Sequence, residues 1–146
     1  MKAPDYVVRY SLIKEPTCFE QFRVVSSSRA HEFIRGIYKD IDVYESFYMI
    51  TLDSNNNVTG YVKIGQGGIS GTVADPILIM KYAIESLSKA VILVHNHPSG
   101  NLDVSNADKE LTRRVKVTLK ELEINLLDHL ILTKDDYMSF GDDGLI

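Results

Sequence analysis

The sequence of 146 residues has only one cysteine, Cys18, and no tryptophan. A single cysteine cannot form an internal disulfide, and it excludes a zinc site made of several cysteines. The first residues lack the apolar core of a signal peptide, and no segment has the uninterrupted apolar length that spans a bilayer. We therefore expect a cytoplasmic protein with no membrane segment.

The chain also lacks an excess of positive charge. Its formal net charge is −4 and its pI is about 5.5, so it has no general attraction to nucleic acid, and binding would require a local basic patch. Four basic residues do recur at helical spacing, although a solvated helix face explains them better than a DNA-binding surface. They are Lys109, Arg113, Lys116 and Lys120.

Apolar residues make up 45% of the chain and charged residues 25%, which is typical of one globular domain with a single core. Strand-like and helix-like patterns alternate in the middle of the chain and hairpin-like patterns flank them. This order predicts an α/β or α+β fold with a mixed β-sheet flanked by helices. The predicted elements are a helix at 28–39, a hairpin at 44–64, a helix starting at Asp75–Pro76, a buried strand at 90–94, a helix at 105–123 and strands at 124–133 and 136–140.

The stretch "VILVHNHPSG", residues 91–100, places two histidines at the end of the predicted buried strand. Side chains two positions apart on a strand point to the same side, so His95 and His97 can converge, while Asn96 is expected to be incidental to metal binding. Ser105 and Asp108 follow in the pattern H-x-H-x7-S-x2-D. Two imidazoles and a carboxylate are a usual ligand set for catalytic zinc. A non-haem iron site uses similar ligands, and "SNAD" is also an ordinary helix-capping sequence.

A hydrolytic site also requires a base, which should be a carboxylate that does not bind the metal. Asp53 is assigned to a turn and Asp75 to a helix cap, which leaves Glu45 at the beginning of an apolar strand as the better candidate, with a solvent-facing residue as the alternative. In "LLDHLIL", Asp128 and His129 alternate with leucines, so one of the two is expected to face the core and the other the surface. The upstream carboxylates considered are Asp40, Asp42, Glu45, Asp53 and Asp75.

An upstream glutamate followed by "HNH", Ser105 and Asp108 resembles the signature of the JAMM (MPN/JAB) metallopeptidases. The segments "GGISGTVADP", "VILVHNHPSGNLDVSNAD" and "LLDHLIL" are similar to the RadC-like branch of that family. The resemblance covers residues 28–146, which we take as the domain, preceded by an N-terminal arm at residues 1–27. It implies a cytidine-deaminase-like fold and a zinc-dependent hydrolase of peptide or isopeptide bonds in protein substrates.

The resemblance also assigns roles to individual residues. It implies that His95, His97 and Asp108 bind Zn²⁺, that Glu45 is the general base, and that Ser105 supports the activated water or the oxyanion. Ile77 departs from the arginine expected in the "DP" segment, which points to a different specificity. The alternative function is a DNA-repair-associated or DNA-binding accessory protein that uses the domain as a scaffold.

Overall fold

The computed structural model describes residues 20–39, 41–67 and 74–146. Most of the predicted N-terminal arm, including Cys18, and the candidate base Asp40 lie outside these ranges. No helix within them has both the length and the apolar character needed to cross a membrane. The elements are α1 (Ser27–Arg35), β1 (Ser46–Leu52), β2 (Val58–Gln66), α2 (Pro76–Glu85), β3 (Ala90–Asn96), α3 (Asn106–Glu121), β4 (Asn125–Leu132) and β5 (Tyr137–Ser139).

The five strands form one mixed sheet in the order β2-β1-β3-β4-β5. Strand β3 occupies the centre, paired antiparallel with β1 and parallel with β4. The parallel pair requires a crossover, and α3 provides it. This arrangement confirms the predicted mixed sheet flanked by helices.

Helices cover both faces of the sheet. Helix α1 packs on one face through Ala30 and Ile34, whereas α2 and α3 pack on the other through residues such as Ile79 and Val115. All seven residues of β3 are buried as a result, which explains its continuous apolar sequence. The side chains of alternate residues of β3 point into the cores on opposite faces of the sheet. His95, near the end of β3, therefore lies on the face that α2 and α3 cover.

Two predicted helix boundaries differ from the structure. Helix α1 is capped by Ser26 and ends at Arg35, so it begins slightly earlier than predicted and stops short of Lys39. Helix α3 has Ser105 as its N-cap, as predicted, but ends at Glu121. Leu122 lies beyond that end and is 44% exposed, so it is not part of the buried apolar side of the helix.

The "LLDHLIL" segment lies in strand β4, which is buried from Asp128 to Leu132. Asp128 pairs with Ile92 and His129 pairs with Leu93, so their side chains lie on opposite faces of the sheet. Asp128 is only 8% exposed and His129 is fully buried. The expectation that one of them faces the surface is wrong, because helices or loops cover both faces.

Candidate metal centre

The register between β1 and β3 brings Glu45 to the two histidines. Phe47 lies opposite His95 in this antiparallel pair. Glu45 immediately precedes β1 and His97 immediately follows β3. Because the strands are antiparallel, these two residues leave the sheet at the same edge, next to His95. One ligand atom from each of Glu45, His95 and His97 lies within 4.8 Å of the others.

The two histidines point their Nε2 atoms at each other across 3.1 Å. His97 is fixed in place by its backbone, because its N–H continues the strand pairing by donating to the Leu132 carbonyl at 2.8 Å. Its ring Nδ1 lies 2.7 Å from the carbonyl oxygen of Asn101. A carbonyl can only accept, so the proton of the His97 ring is on Nδ1 and its Nε2 presents a lone pair.

Asp108 reaches the histidines from the first turn of α3. Its Oδ1 lies 3.4 Å from His95 Nε2. Its Oδ2 accepts hydrogen bonds from the Ser105 backbone N–H at 3.0 Å and from the Ser105 hydroxyl at 2.5 Å. The Asp108 N–H donates back to the Ser105 hydroxyl oxygen, which completes a capping box. Ser105 is therefore a cap that also holds the Asp108 carboxylate toward His95.

The separations among these donors suit a tetrahedral zinc ion. Zinc bonds of 2.0–2.1 Å place neighbouring ligand atoms about 3.3 Å apart. The separation of 3.1 Å between the two imidazole nitrogens and that of 3.4 Å between nitrogen and carboxylate oxygen are close to this value. Two carboxylates approach the histidine pair from different parts of the chain: Glu45 immediately precedes β1 and Asp108 lies in the first turn of α3. The four side chains together offer donor atoms that could hold a metal ion, with one carboxylate to spare.

Burial keeps His95 in its neutral form. The ring is 1% exposed and stacks on Phe47 with a centroid separation of 5.6 Å. The pKa of His95 is lowered to about 4, chiefly by burial; the Asp108 carboxylate raises the pKa and the neighbouring His97 lowers it. A neutral imidazole retains a lone pair, which is the form that binds a metal.

Asn96 between the two histidines has a structural role that its neighbours in sequence do not indicate. Its side chain is fully buried, and its Oδ1 accepts from the Ser46 N–H at 2.8 Å. Its Nδ2 donates to the carbonyls of Ile41 at 2.6 Å and Tyr44 at 2.8 Å. Asn96 therefore fastens the segment that carries Glu45 to the end of β3, although it does not itself face the site.

Two further residues behind the site were not among the predicted site residues. His129 Nε2 lies 2.8 Å from His95 Nδ1, and Thr112 Oγ1 lies 2.7 Å from His129 Nδ1. The sequence contains one signal for Thr112, since it is one helical turn after Asp108 and so shares its face. His129 sits on β4, next to β3, which only the strand order reveals.

The other candidate carboxylates within the described ranges have structural roles. Asp53 Oδ1 accepts two backbone N–H bonds in the β1–β2 turn, and Asp75 caps α2, both as predicted. Asp42 forms an exposed ion pair with Lys134. Ile77 is 75% exposed in the first turn of α2.

The basic residues of α3 are exposed, and one of them is already paired. Arg113 forms a two-pronged contact with the Glu110 carboxylate through Nε at 3.1 Å and Nη2 at 2.8 Å. The pairing reduces the positive character of this helix face. Lys109, Lys116 and Lys120 complete the predicted basic set.

Comparison with known proteins gives a match to the family model described as "RadC-like JAB domain" over residues 7–145. A UPF0758 protein of Flavobacterium johnsoniae is 37% identical over 123 residues, which cover 84% of this chain and 53% of that protein. A UPF0758 protein of Porphyromonas gingivalis is 36% identical over 124 residues, covering 84% of this chain and 54% of the relative. The chain thus spans about half the length of the curated relatives it matches.

Proposed function

Because the chain belongs to the RadC-like JAB domain family, we propose that it is a metal-dependent hydrolase of peptide or isopeptide bonds, with zinc as its metal. The observation that carries the proposal is the convergence of Glu45, His95 and His97 within 4.8 Å, together with the Asp108 oxygen 3.4 Å from His95. The substrate is a protein or a peptide in an amide linkage, and the domain acts as part of a longer protein in its relatives.

In this proposal His95, His97 and Asp108 hold the ion. A zinc ion bound there would supply an activated water and a Lewis acid for the scissile carbonyl. Glu45, on the opposite strand, accepts the proton of the attacking water and delivers it to the leaving amine. A separate carboxylate beside two imidazoles and a ligand carboxylate is the set that hydrolysis requires.

Ser105 supports the attacking water rather than the oxyanion. A serine hydroxyl has one proton and two lone pairs. The proton is given to Asp108 Oδ2, and one lone pair accepts from the Asp108 N–H. The remaining lone pair can only accept a hydrogen bond, which suits a water molecule and does not suit an oxyanion.

Metal analysis of protein purified without added metal tests the ligand assignment. We expect about one zinc per wild-type chain, and loss of zinc from the Asp108→Ala variant, because a ligand is removed. Glu110→Gln is the matched control on the same helix, since Glu110 is exposed and forms an ion pair with Arg113 away from the histidines. Full zinc retention by Asp108→Ala contradicts the assignment.

Hydrolysis of a panel of fluorogenic peptides and isopeptide-linked conjugates tests the role of Glu45. The Glu45→Gln variant should retain zinc and lose about 10²–10⁴-fold in rate, as expected for removal of a general base. Glu45 also lies within coordinating reach of the histidines. Loss of zinc from Glu45→Gln would therefore identify it as a ligand and refute its role as the base.

A further inference from the structure

A buried chain of hydrogen bonds connects one candidate ligand to the backbone of another. His95 Nδ1 lies 2.8 Å from His129 Nε2, and His129 Nδ1 lies 2.7 Å from Thr112 Oγ1. The Thr112 hydroxyl lies 2.6 Å from the backbone carbonyl oxygen of Asp108. His95, His129 and Thr112 are each no more than 2% exposed, so water does not complete these contacts.

The contact between the Thr112 hydroxyl and the Asp108 carbonyl fixes the donor and the acceptor in each hydrogen bond of this series. The Asp108 carbonyl can only accept, so the single hydroxyl proton of Thr112 is directed to it. Thr112 Oγ1 must then accept from His129, which puts the ring proton of His129 on Nδ1. A neutral imidazole has one N–H, so His129 Nε2 is an acceptor and the proton of His95 lies on Nδ1.

We propose that Thr112 and His129 are positioning residues that hold His95 in the Nδ1–H tautomer and so direct its Nε2 lone pair into the metal centre. This inference rests on the metal site of the proposed function. His97 is held in the same tautomer by a separate partner, the Asn101 carbonyl. Two lone pairs then face each other across 3.1 Å, with an Asp108 oxygen beside them, and a cation bound between them would stabilise this arrangement.

The opposite direction of these hydrogen bonds would place a proton, rather than a lone pair, at the candidate metal centre. If Thr112 donated to His129, the proton of His95 would lie on Nε2 and point at His97 and Asp108. That proton would join the three side chains by hydrogen bonds and would block coordination by His95. The hydroxyl of Thr112 therefore decides between a hydrogen-bonded cluster and a metal site.

The tautomers are measured directly by long-range ¹H–¹⁵N NMR spectra of the metal-free protein. We expect His95 and His129 both to carry their proton on Nδ1. In Thr112→Val, which keeps the shape but removes the hydroxyl, the Nδ1–H form of His129 loses its acceptor, and the signals of both rings should shift toward the other tautomer. Thr112→Ser should restore the wild-type pattern. A wild-type His95 with its proton on Nε2 overturns the proposal.

Zinc affinity, measured by competition with a chromophoric chelator, is the second test. Loss of the residue that orients a ligating histidine typically costs about 10–100-fold in affinity. Thr112 acts on His95 through His129, so a loss of up to about 10–100-fold is expected for Thr112→Val. Thr118→Val is a matched control, because the exposed Thr118 makes the same bond to the carbonyl four residues earlier, at 2.9 Å to Arg114. Its zinc affinity should equal that of the wild type.

The outcomes separate this inference from the proposed function. If wild-type protein binds no zinc, the proposed function fails, while the NMR spectra still decide the tautomer. If wild-type protein and Thr112→Val bind zinc equally well, the positioning role is overturned and the metal site stands. A Thr112→Ser variant that binds zinc as weakly as Thr112→Val also contradicts the role of the hydroxyl.

Discussion

Replacing Asn96 by alanine should loosen the segment that carries Glu45 and destabilise the whole domain. The Asn96 side chain makes three hydrogen bonds, of which those to the Ser46 N–H and the Ile41 carbonyl are buried. Each buried group left without a partner costs about 1–3 kcal/mol, whereas water can reach the more exposed Tyr44 carbonyl. The two buried groups together predict a loss of about 3 kcal/mol in the free energy of unfolding.

Urea denaturation measures this loss. With an m-value of about 2 kcal/mol/M, a loss of about 3 kcal/mol lowers the midpoint by about 1.5 M urea. Asn125→Ala is the control, because Asn125 is an exposed asparagine at a strand end, and its effect should stay within about 0.5 kcal/mol.

Hydrogen exchange separates a local effect of Asn96→Ala from a global one. The Ser46 amide should lose more protection than the Ile50 amide in the middle of β1, because the Ser46 amide donates directly to the Asn96 side chain. An Asn96→Ala variant as stable as Asn125→Ala, with Ser46 still protected, would refute the reasoning.

Two other predictions follow from burial. Burial raises the pKa of Asp128 above its ordinary value of 3.8, so the folded state holds the proton more tightly and the stability contributed by Asp128 decreases as pH rises from about 3.8 through the higher folded pKa. Asp128→Asn should remove that dependence, and urea midpoints measured between pH 4 and 7 with the same slope in both proteins would contradict it. Ile131→Ala, at a fully buried position, should cost about 2–5 kcal/mol in the free energy of unfolding, while Ile77→Ala, at a position 75% exposed, should change it by less than about 0.5 kcal/mol. Equal urea midpoints for these two variants would show that the core assignment is wrong.

The fold class could be predicted because its signals are local. The continuous apolar run before His95 indicates a strand covered on both faces, and Asp75–Pro76 indicates a helix start, both of which the structure contains. Helix ends were predicted less well. The prediction extended α1 through Gly36, although glycine commonly ends a helix, and the turn after Glu121 ends α3 without a glycine or proline. The prediction that one residue of the Asp128–His129 pair faces the surface was wrong, because an alternating sequence pattern does not reveal how many faces of a sheet are covered.

The candidate site was predictable where its residues are close in sequence. His95 and His97 share one side of a strand, and Ser105 and Asp108 share one helix turn, so short-range geometry predicts both pairs. The meeting of these pairs with Glu45 depends on the register of β1 against β3, which no local pattern contains. Thr112, His129 and Asn96 act through hydrogen bonds between distant elements, and their residue types alone do not indicate those partners.

The antiparallel pairing of β1 with β3 makes the arrival of Glu45 at the metal centre a late step of folding. Glu45 and Asp108 are 63 residues apart in the chain, and neither the β1–β2 hairpin nor the β3–α3–β4 unit contains both of them. Each of these units can form through more local contacts, whereas their docking must close a long loop, which is slow. The proposed ligands His95, His97 and Asp108 all belong to the β3–α3–β4 unit, whereas the proposed base Glu45 belongs to the other unit. A molecule in which the two units have not docked would therefore have its ligands but not its base, so only fully assembled molecules would be able to hydrolyse other chains.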